Sequence, residues 1–345
     1  MKQRIIWIDY IKAIAITIVI MLHIGVPNPF KTVTRSFIIP LFFILSGLFG
    51  SPQKYASYKE FWKQKTLRLL IPYFIFNVIT YIYWLFIARH YGADANAVIP
   101  IWKPLIGIFL GLEHWMVHCK PLWFLPCLML TEWFFYLFYR ITKGNLKLIC
   151  IFVILATTAG FSLSFLHLPP LPYAIGGSLS MSIFYFIGYM IRAKEDYIAI
   201  LQKYMYKTST ILWAITWGIS TTFCVWLSLH TNETKVFENS YGNLFFSIPA
   251  AIFGCISIIT TCIILYKTLP PLQILQYIGT HTILILAFHL TLAGWIKGIT
   301  TYVFQLPLTI YIQPWVQVLF TLTIVLSSIP ICYLYDKITK WFINS

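Results

Sequence analysis

The feature that most limits what this chain can become is its series of long apolar runs, at 5–24, 36–50, 69–88, 122–139, 147–166, 173–191, 210–229, 244–266, 274–296 and 314–335. A helix of about 20 apolar residues crosses the hydrocarbon core of a bilayer. Within that core every backbone N–H and C=O must find its partner inside the protein. The runs therefore predict an all-α fold, a polytopic membrane bundle of about ten transmembrane helices. The second run is short and holds Pro40 and Gly47, so it is expected inside the bundle, away from lipid. The apolar stretch 98–112 is expected to be an interfacial or re-entrant piece. No soluble domain is expected, and 1–345 is read as one integral membrane domain.

Charge supports the same solvent. Only 10% of the residues are charged and 59% are hydrophobic, against roughly 25% charged in soluble proteins. A net charge of +15 could serve nucleic acid, but such proteins gather their cations on one solvated face. Here the cations lie between apolar runs, so no nucleic-acid partner is expected and the bilayer itself is the first partner. Placing the N-terminus in the cytoplasm puts 17 Lys and Arg in one set of loops and 7 in the other, with Lys12 inside a run. That alternation predicts cytoplasmic termini at both ends and a multi-pass protein of the inner, cytoplasmic membrane. The first run is too long for a signal h-region, so no cleaved leader is expected. Seven scattered cysteines without a CxxC pair point to buried thiols, not to a redox or zinc motif.

Three ionisable residues interrupt the first run: Asp9, Lys12 and His23. At 100° per residue, Lys12 to His23 closes about 20° past three turns, and Asp9 to His23 about 40° short of four. All three share one face, over about 21 Å of helix. A mid-span Asp or Lys costs about 2.5–3.5 kcal/mol on insertion scales, so such groups pair or line a path. The bland alternative is a self-neutralising Asp9–Lys12 pair at i, i+3. A neutral imidazole suits His23 for taking a proton from a hydroxyl that attacks a thioester.

Several ordered motifs then resemble the bacterial acyltransferase-3 family, multi-spanning enzymes that O-acylate surface sugars. They are Arg4-x4-Asp9-x2-Lys12-x10-His23, Pro40-Leu-Phe-Phe-Ile-Leu-Ser46-Gly47, Lys65-x2-Arg68-x3-Pro72-Tyr73, Leu122-Trp123-Phe124-Leu125 and Ile278-Gly279-Thr-His281-Thr-x6-His289. His281 stands where the family usually has Asn. The chain ends soon after the tenth run, so the esterase-like domain that some members append is not expected, and the likeness is greatest to the surface-polysaccharide or sugar O-acetylase subgroup.

The resemblance implies transfer of an acyl group, an acetyl group from acetyl-CoA in the first instance, to a hydroxyl of a surface glycan or its lipid-linked sugar precursor. His23, Lys12 and Asp9 are then the candidate catalytic residues, with His23 as base or transient acyl carrier. Arg68 and Lys65 are candidates for the donor phosphates. Glu132, His289, Ser46 and Trp123 are candidate substrate or supporting residues, Glu132 because a mid-span carboxylate needs a cationic partner or a proton. The spacing Glu113-His114-x3-His118 fits metal ligands, but no third ligand is fixed by sequence and no metal is expected. A transporter or flippase of a glycan or lipid-linked intermediate is the competing class, since a polar stripe can also mark a substrate path. The acceptor sugar and oligomeric state are not legible.

Overall fold

The computed structural model describes residues 5–91, 98–166, 168–192, 197–231 and 233–344; Lys2, Arg4 and Lys194 lie outside the described residues. The described chain is helical throughout, its one extended element being an isolated bridge between Lys235 and Ser240. Among the described residues nine helices are long and apolar enough to cross a membrane, and a pair bent by 56° is a tenth candidate crossing. In chain order they are α1 (Ile6–Ile24), α2 (Asn28–Phe49), α3 (Tyr58–Tyr91), α4 (Lys120–Ile141), α5 (Leu146–Phe165), the bent α6 (Pro172–Ser180 with Ser182–Arg192), α7 (Thr210–Leu229), α8 (Leu244–Thr268), α9 (Thr282–Val303) and α10 (Pro314–Trp341). This is a multi-pass membrane bundle; nine expected runs fall on these crossings, while the run 274–296 is divided, its first residues forming a separate short helix and the crossing starting only at Thr282.

The second crossing is longer than its apolar run. It begins at Asn28, just after Pro27, and carries Lys31 and Arg35 in its first two turns. Those cations belong to a helix because a carboxylate meets them there: both pair with Glu233 of the loop joining α7 to α8. The apolar stretch near residue 100 forms a short helix, Trp102–Leu110, ending in a left-handed Gly111 at φ 62°. Another short helix, Gln273–Thr280, precedes α9 and stops at His281.

Apolar residues cannot drive helix association within lipid, so close backbone approach and interhelical polar bonds decide which faces meet. A methyl group at Gly47 would collide with the backbone carbonyl of Tyr185, so α2 and α6 touch main chain to main chain. Gly279 lies just as tightly against the Asp9 carbonyl, which fixes the 273–280 helix on the start of α1. As a result α1, α2 and α4 are the inner helices, 61% of their apolar windows being buried, whereas α7 (17%) is peripheral. The helix that carries the ionisable stripe is thus enclosed by protein.

Candidate active site

α1 holds its two ends in different surroundings. At the N-terminal face Asp9 is buried, and the Lys12 ammonium lies 4.0 Å from its carboxylate and 5.0 Å from the centre of the Phe49 ring. At the far end His23 is exposed, two residues before Gly25 closes the helix at φ 97°. The three residues do share one side of α1, and the stripe runs from an enclosed ion pair to an accessible imidazole.

His289 of α9 lies against His23, with ring centroids 5.3 Å apart and planes tilted by 50°. Its Nδ1–H donates to the carbonyls of Ile285 (3.2 Å) and Leu286 (2.9 Å). That bond fixes the tautomer of the neutral ring and leaves the Nε2 lone pair as an acceptor. His289 is fully buried, and its Nε2 meets no hydrogen-bond partner. A buried acceptor in that state is costly unless an O–H reaches it. Two imidazoles side by side, one accessible and one holding an unused lone pair, form a site able to take a proton from a hydroxyl.

Charged side chains of neighbouring segments lie within electrostatic range of the pair. Arg35 and Lys120 act electrostatically on His23, and Glu113 faces Lys120, Glu238, Arg35 and Lys235. The Cys119 thiol donates to the Ala287 carbonyl at 3.3 Å, which seats the Lys120 segment beside the His289 turn of α9. Burial holds the Glu113 carboxyl above its usual range, an effect that Lys120 partly offsets. The 233–241 segment packs on Trp123 and on α6. Its Phe237 packs on Trp123 at 5.8 Å, and Val236 and Asn239 rest against Gly177 and Gly176 of α6. Trp123, only 7% exposed, supports that loop from beneath.

A second polar centre lies nearer the N-terminal face. Lys65 Nζ is 2.6 Å from Glu132 Oε2, both side chains being almost fully buried, and Ser46 Oγ donates to Glu132 Oε1 at 2.7 Å. One network therefore ties α2, α3 and α4 together. The helix passes into a π-turn at Thr66–Leu70, which separates the inward Lys65 from Arg68 on the surface. Of the two residues expected to meet donor phosphates, Arg68 is exposed and Lys65 is committed to Glu132.

The remaining sequence candidates separate. His118 bonds Asn77 Oδ1 through Nε2 at 3.0 Å, and among the described residues no three His, Cys, Asp or Glu side chains converge as a metal site. Burial lowers the His118 pKa to about 4. His281 faces Asp336 of α10, Nε2 to Oδ1 at 3.0 Å, and Tyr277 donates to the other oxygen at 3.3 Å. Arg35, Glu233 and Asp336 escaped the sequence reading as site-forming residues. The one signal for them was an unpaired charge beside an apolar run.

The fold is thus a multi-pass membrane bundle that sets His23 against His289 at one end of α1 and joins Lys65 to Glu132 nearer the other. The model of the acyltransferase domain family matches residues 5–337. The chain therefore belongs to the acyltransferase 3 family, and with that to the transferases. No curated protein and no solved structure matches it significantly.

Proposed function

We propose that the protein is an O-acetyltransferase of the cytoplasmic membrane, moving an acetyl group from cytoplasmic acetyl-CoA to a hydroxyl of a surface polysaccharide or its lipid-linked sugar precursor. The observation that carries this reading is the pairing of His23 with His289, whose Nε2 lacks a partner, on a helix whose other end holds Lys12. The N-terminal face, with the exposed Arg68 and the basic loops, is the cytoplasmic one. Arg68 meets the donor phosphates, and the Lys65–Glu132–Ser46 network fixes the wall behind it. The thioester extends along the polar side of α1 toward His23.

His23 takes the proton as the acceptor oxygen attacks the thioester carbonyl carbon. The new C–O bond forms, the C–S bond breaks, and the sulfur leaves with the electron pair and recovers the proton. Lys12, steered by Asp9, places positive charge on the donor side of the path. His289 accepts from a hydroxyl or a water through Nε2 and orients the acceptor.

The test is mass spectrometry of surface glycans from cells with the intact gene, without it, and with His23→Ala in its place. The expected outcome is one acetyl group present only with the intact gene. Identical glycans in all three would overturn the reading, and substrate uptake by proteoliposomes without acyl turnover would favour transport.

A further inference from the structure

We propose that a cleft on the N-terminal face, between the helix Tyr197–Lys207 and the end of α8, binds the headgroup of one anionic phospholipid from the leaflet on that face, with Lys267 holding its phosphate. Binding there is separate from acyl transfer and does not depend on it.

Three segments meet at the site. α6 ends at Arg192 and α7 starts at Thr210, and the helix Tyr197–Lys207 lies in the connection between them. Six crossings return the chain to the face on which it began, so this helix, the end of α8 and the start of α1 share one face. Their contacts agree. The Tyr206 and Tyr266 hydroxyls bond at 3.2 Å, and the Tyr266 ring packs edge-on against Tyr10 of α1, centres 6.2 Å apart. Tyr10 in turn accepts from the Leu272 amide at 2.7 Å. Beside these rings opens a cleft of about 270 Å³, lined by Tyr206, Tyr266, Lys267, Leu269 and Pro271.

The charge at the cleft is positive. The Lys267 ammonium donates to the carbonyls of Met205 (3.1 Å) and Thr208 (2.6 Å), at the end of the 197–207 helix. Those carbonyls are the negative end of the helix, so the bonds fix the ammonium in the cleft wall. An ammonium has three N–H groups, which leaves one for a ligand. Lys203 and Lys207 stand at i and i+4, each within a turn of Tyr206 and exposed as it is. Among the described residues none of the three lysines pairs with a carboxylate. Three cations and two phenol hydroxyls are thus gathered without an anion of the described chain to balance them, a set that suits a phosphate.

Size and surroundings select which phosphate. A cleft of about 270 Å³ lies below the roughly 300–1,000 Å³ of sites that enclose whole drug-sized ligands. It takes a headgroup, not an entire nucleotide. α7 starts just after Lys207 and turns Ile211, Leu212 and Ile215 outward, and only 17% of its apolar window is buried. On a membrane-crossing helix such a flank faces lipid. A molecule with its anionic head at Lys267 and its acyl chains along α7 matches both surfaces. Cations gather on the cytoplasmic face of multi-pass proteins in general; these differ in having a cleft between them.

The experiment uses that difference. Purified full-length protein in detergent is titrated with phosphatidylglycerol or with phosphatidylcholine, and the lipids retained are counted by native mass spectrometry. One phosphatidylglycerol is expected to bind about tenfold or more tightly than phosphatidylcholine, on the scale of the attraction of a few lysines for anionic lipid. Lys267→Gln keeps a donor for the two carbonyls and removes the charge, and should weaken that affinity about tenfold. The exposed pair Lys203→Gln/Lys207→Gln should weaken it about as much. Lys143→Gln/Lys147→Gln, exposed cations of the α4–α5 connection on the same face, should change it less than twofold. Should Lys267→Gln fail to fold, the exposed pair decides. Equal retention of the two lipids, an unchanged affinity in the exposed-pair variant, or an equal loss in the Lys143/Lys147 variant overturns the site. Inorganic phosphate and acetyl-CoA are added in separate arms and should leave the bound lipid in place; displacement by either assigns the cleft to a soluble phosphate ligand and also overturns the proposal.

Discussion

Replacing Lys65 by Met should be among the most damaging single changes outside the histidine pair. The substitution removes the ammonium 2.6 Å from Glu132 and leaves a carboxylate that is 3% exposed with Ser46 as its remaining hydrogen-bond donor. Breaking a buried ion pair from one side typically costs about 3–5 kcal/mol, because the surviving charge stays desolvated. At about 2–4 °C per kcal/mol for sizeable chains, the melting temperature should fall by roughly 6–20 °C. Glu132→Leu should be milder by about 1 kcal/mol, since the stranded ammonium still lies 5.9 Å from the rings of both Tyr55 and Phe61. The double variant removes both charges and should recover most of the loss, which a double-mutant cycle reads as coupling. Lys63→Met, two residues earlier on the exposed face of the helix, is the control and should change nothing. The assay is thermal unfolding of the detergent-solubilised protein by tryptophan fluorescence at one fixed scan rate. If Lys65→Met melts within 2 °C (roughly 1 kcal/mol) of the unaltered protein, or if the double variant loses the sum of the single losses, the reasoning fails.

His118 should make the fold sensitive to acid. Its folded-state pKa is lowered to about 4 by burial, so the folded protein resists a proton that the unfolded chain accepts near pH 6.5; stability is complete above that pH and declines toward pH 4, by about 3 kcal/mol at most. His118→Gln should flatten the decline in melting temperature between pH 7 and pH 4.5, and an unchanged slope would assign it elsewhere. Gly279→Val should disrupt the seat of the 273–280 helix on the Asp9 backbone, lowering expression of folded protein and reducing activity through α1; normal yield with full activity would contradict the packing argument. Asp336→Asn should cost no more than about 1 kcal/mol, because the carboxylate facing His281 is 36% exposed, and a melting shift above 5 °C would show that the pair matters more than its exposure allows.

The ten crossings were legible because each carries its own apolar window, a local property that packing does not overrule. The stripe on α1 was legible too, since helical geometry alone puts Asp9, Lys12 and His23 on one side. The start of α2 was not. Lys31 and Arg35 look like loop charges until Glu233, about two hundred residues later, arrives to pair them. The sequence required that Glu132 find a proton or a cation, but the choice of Lys65 depended on how α3 and α4 pack. The packing of Phe237 on Trp123 was still harder to see, because it joins two loops with no periodicity of their own. His289 was visible as a motif residue, whereas its unused Nε2 follows from two backbone carbonyls that only the folded helix aligns.

The most direct test of the central claim is acyl transfer by purified protein in proteoliposomes, with radiolabelled acetyl-CoA and deacylated surface glycan, for His23→Ala and His289→Ala against the unaltered protein. Loss of a positioned general base should lower the transfer rate by about 10²–10⁴-fold in His23→Ala, with a smaller loss in His289→Ala and melting temperatures close to normal. Transfer by folded His23→Ala protein at the unaltered rate would contradict the account.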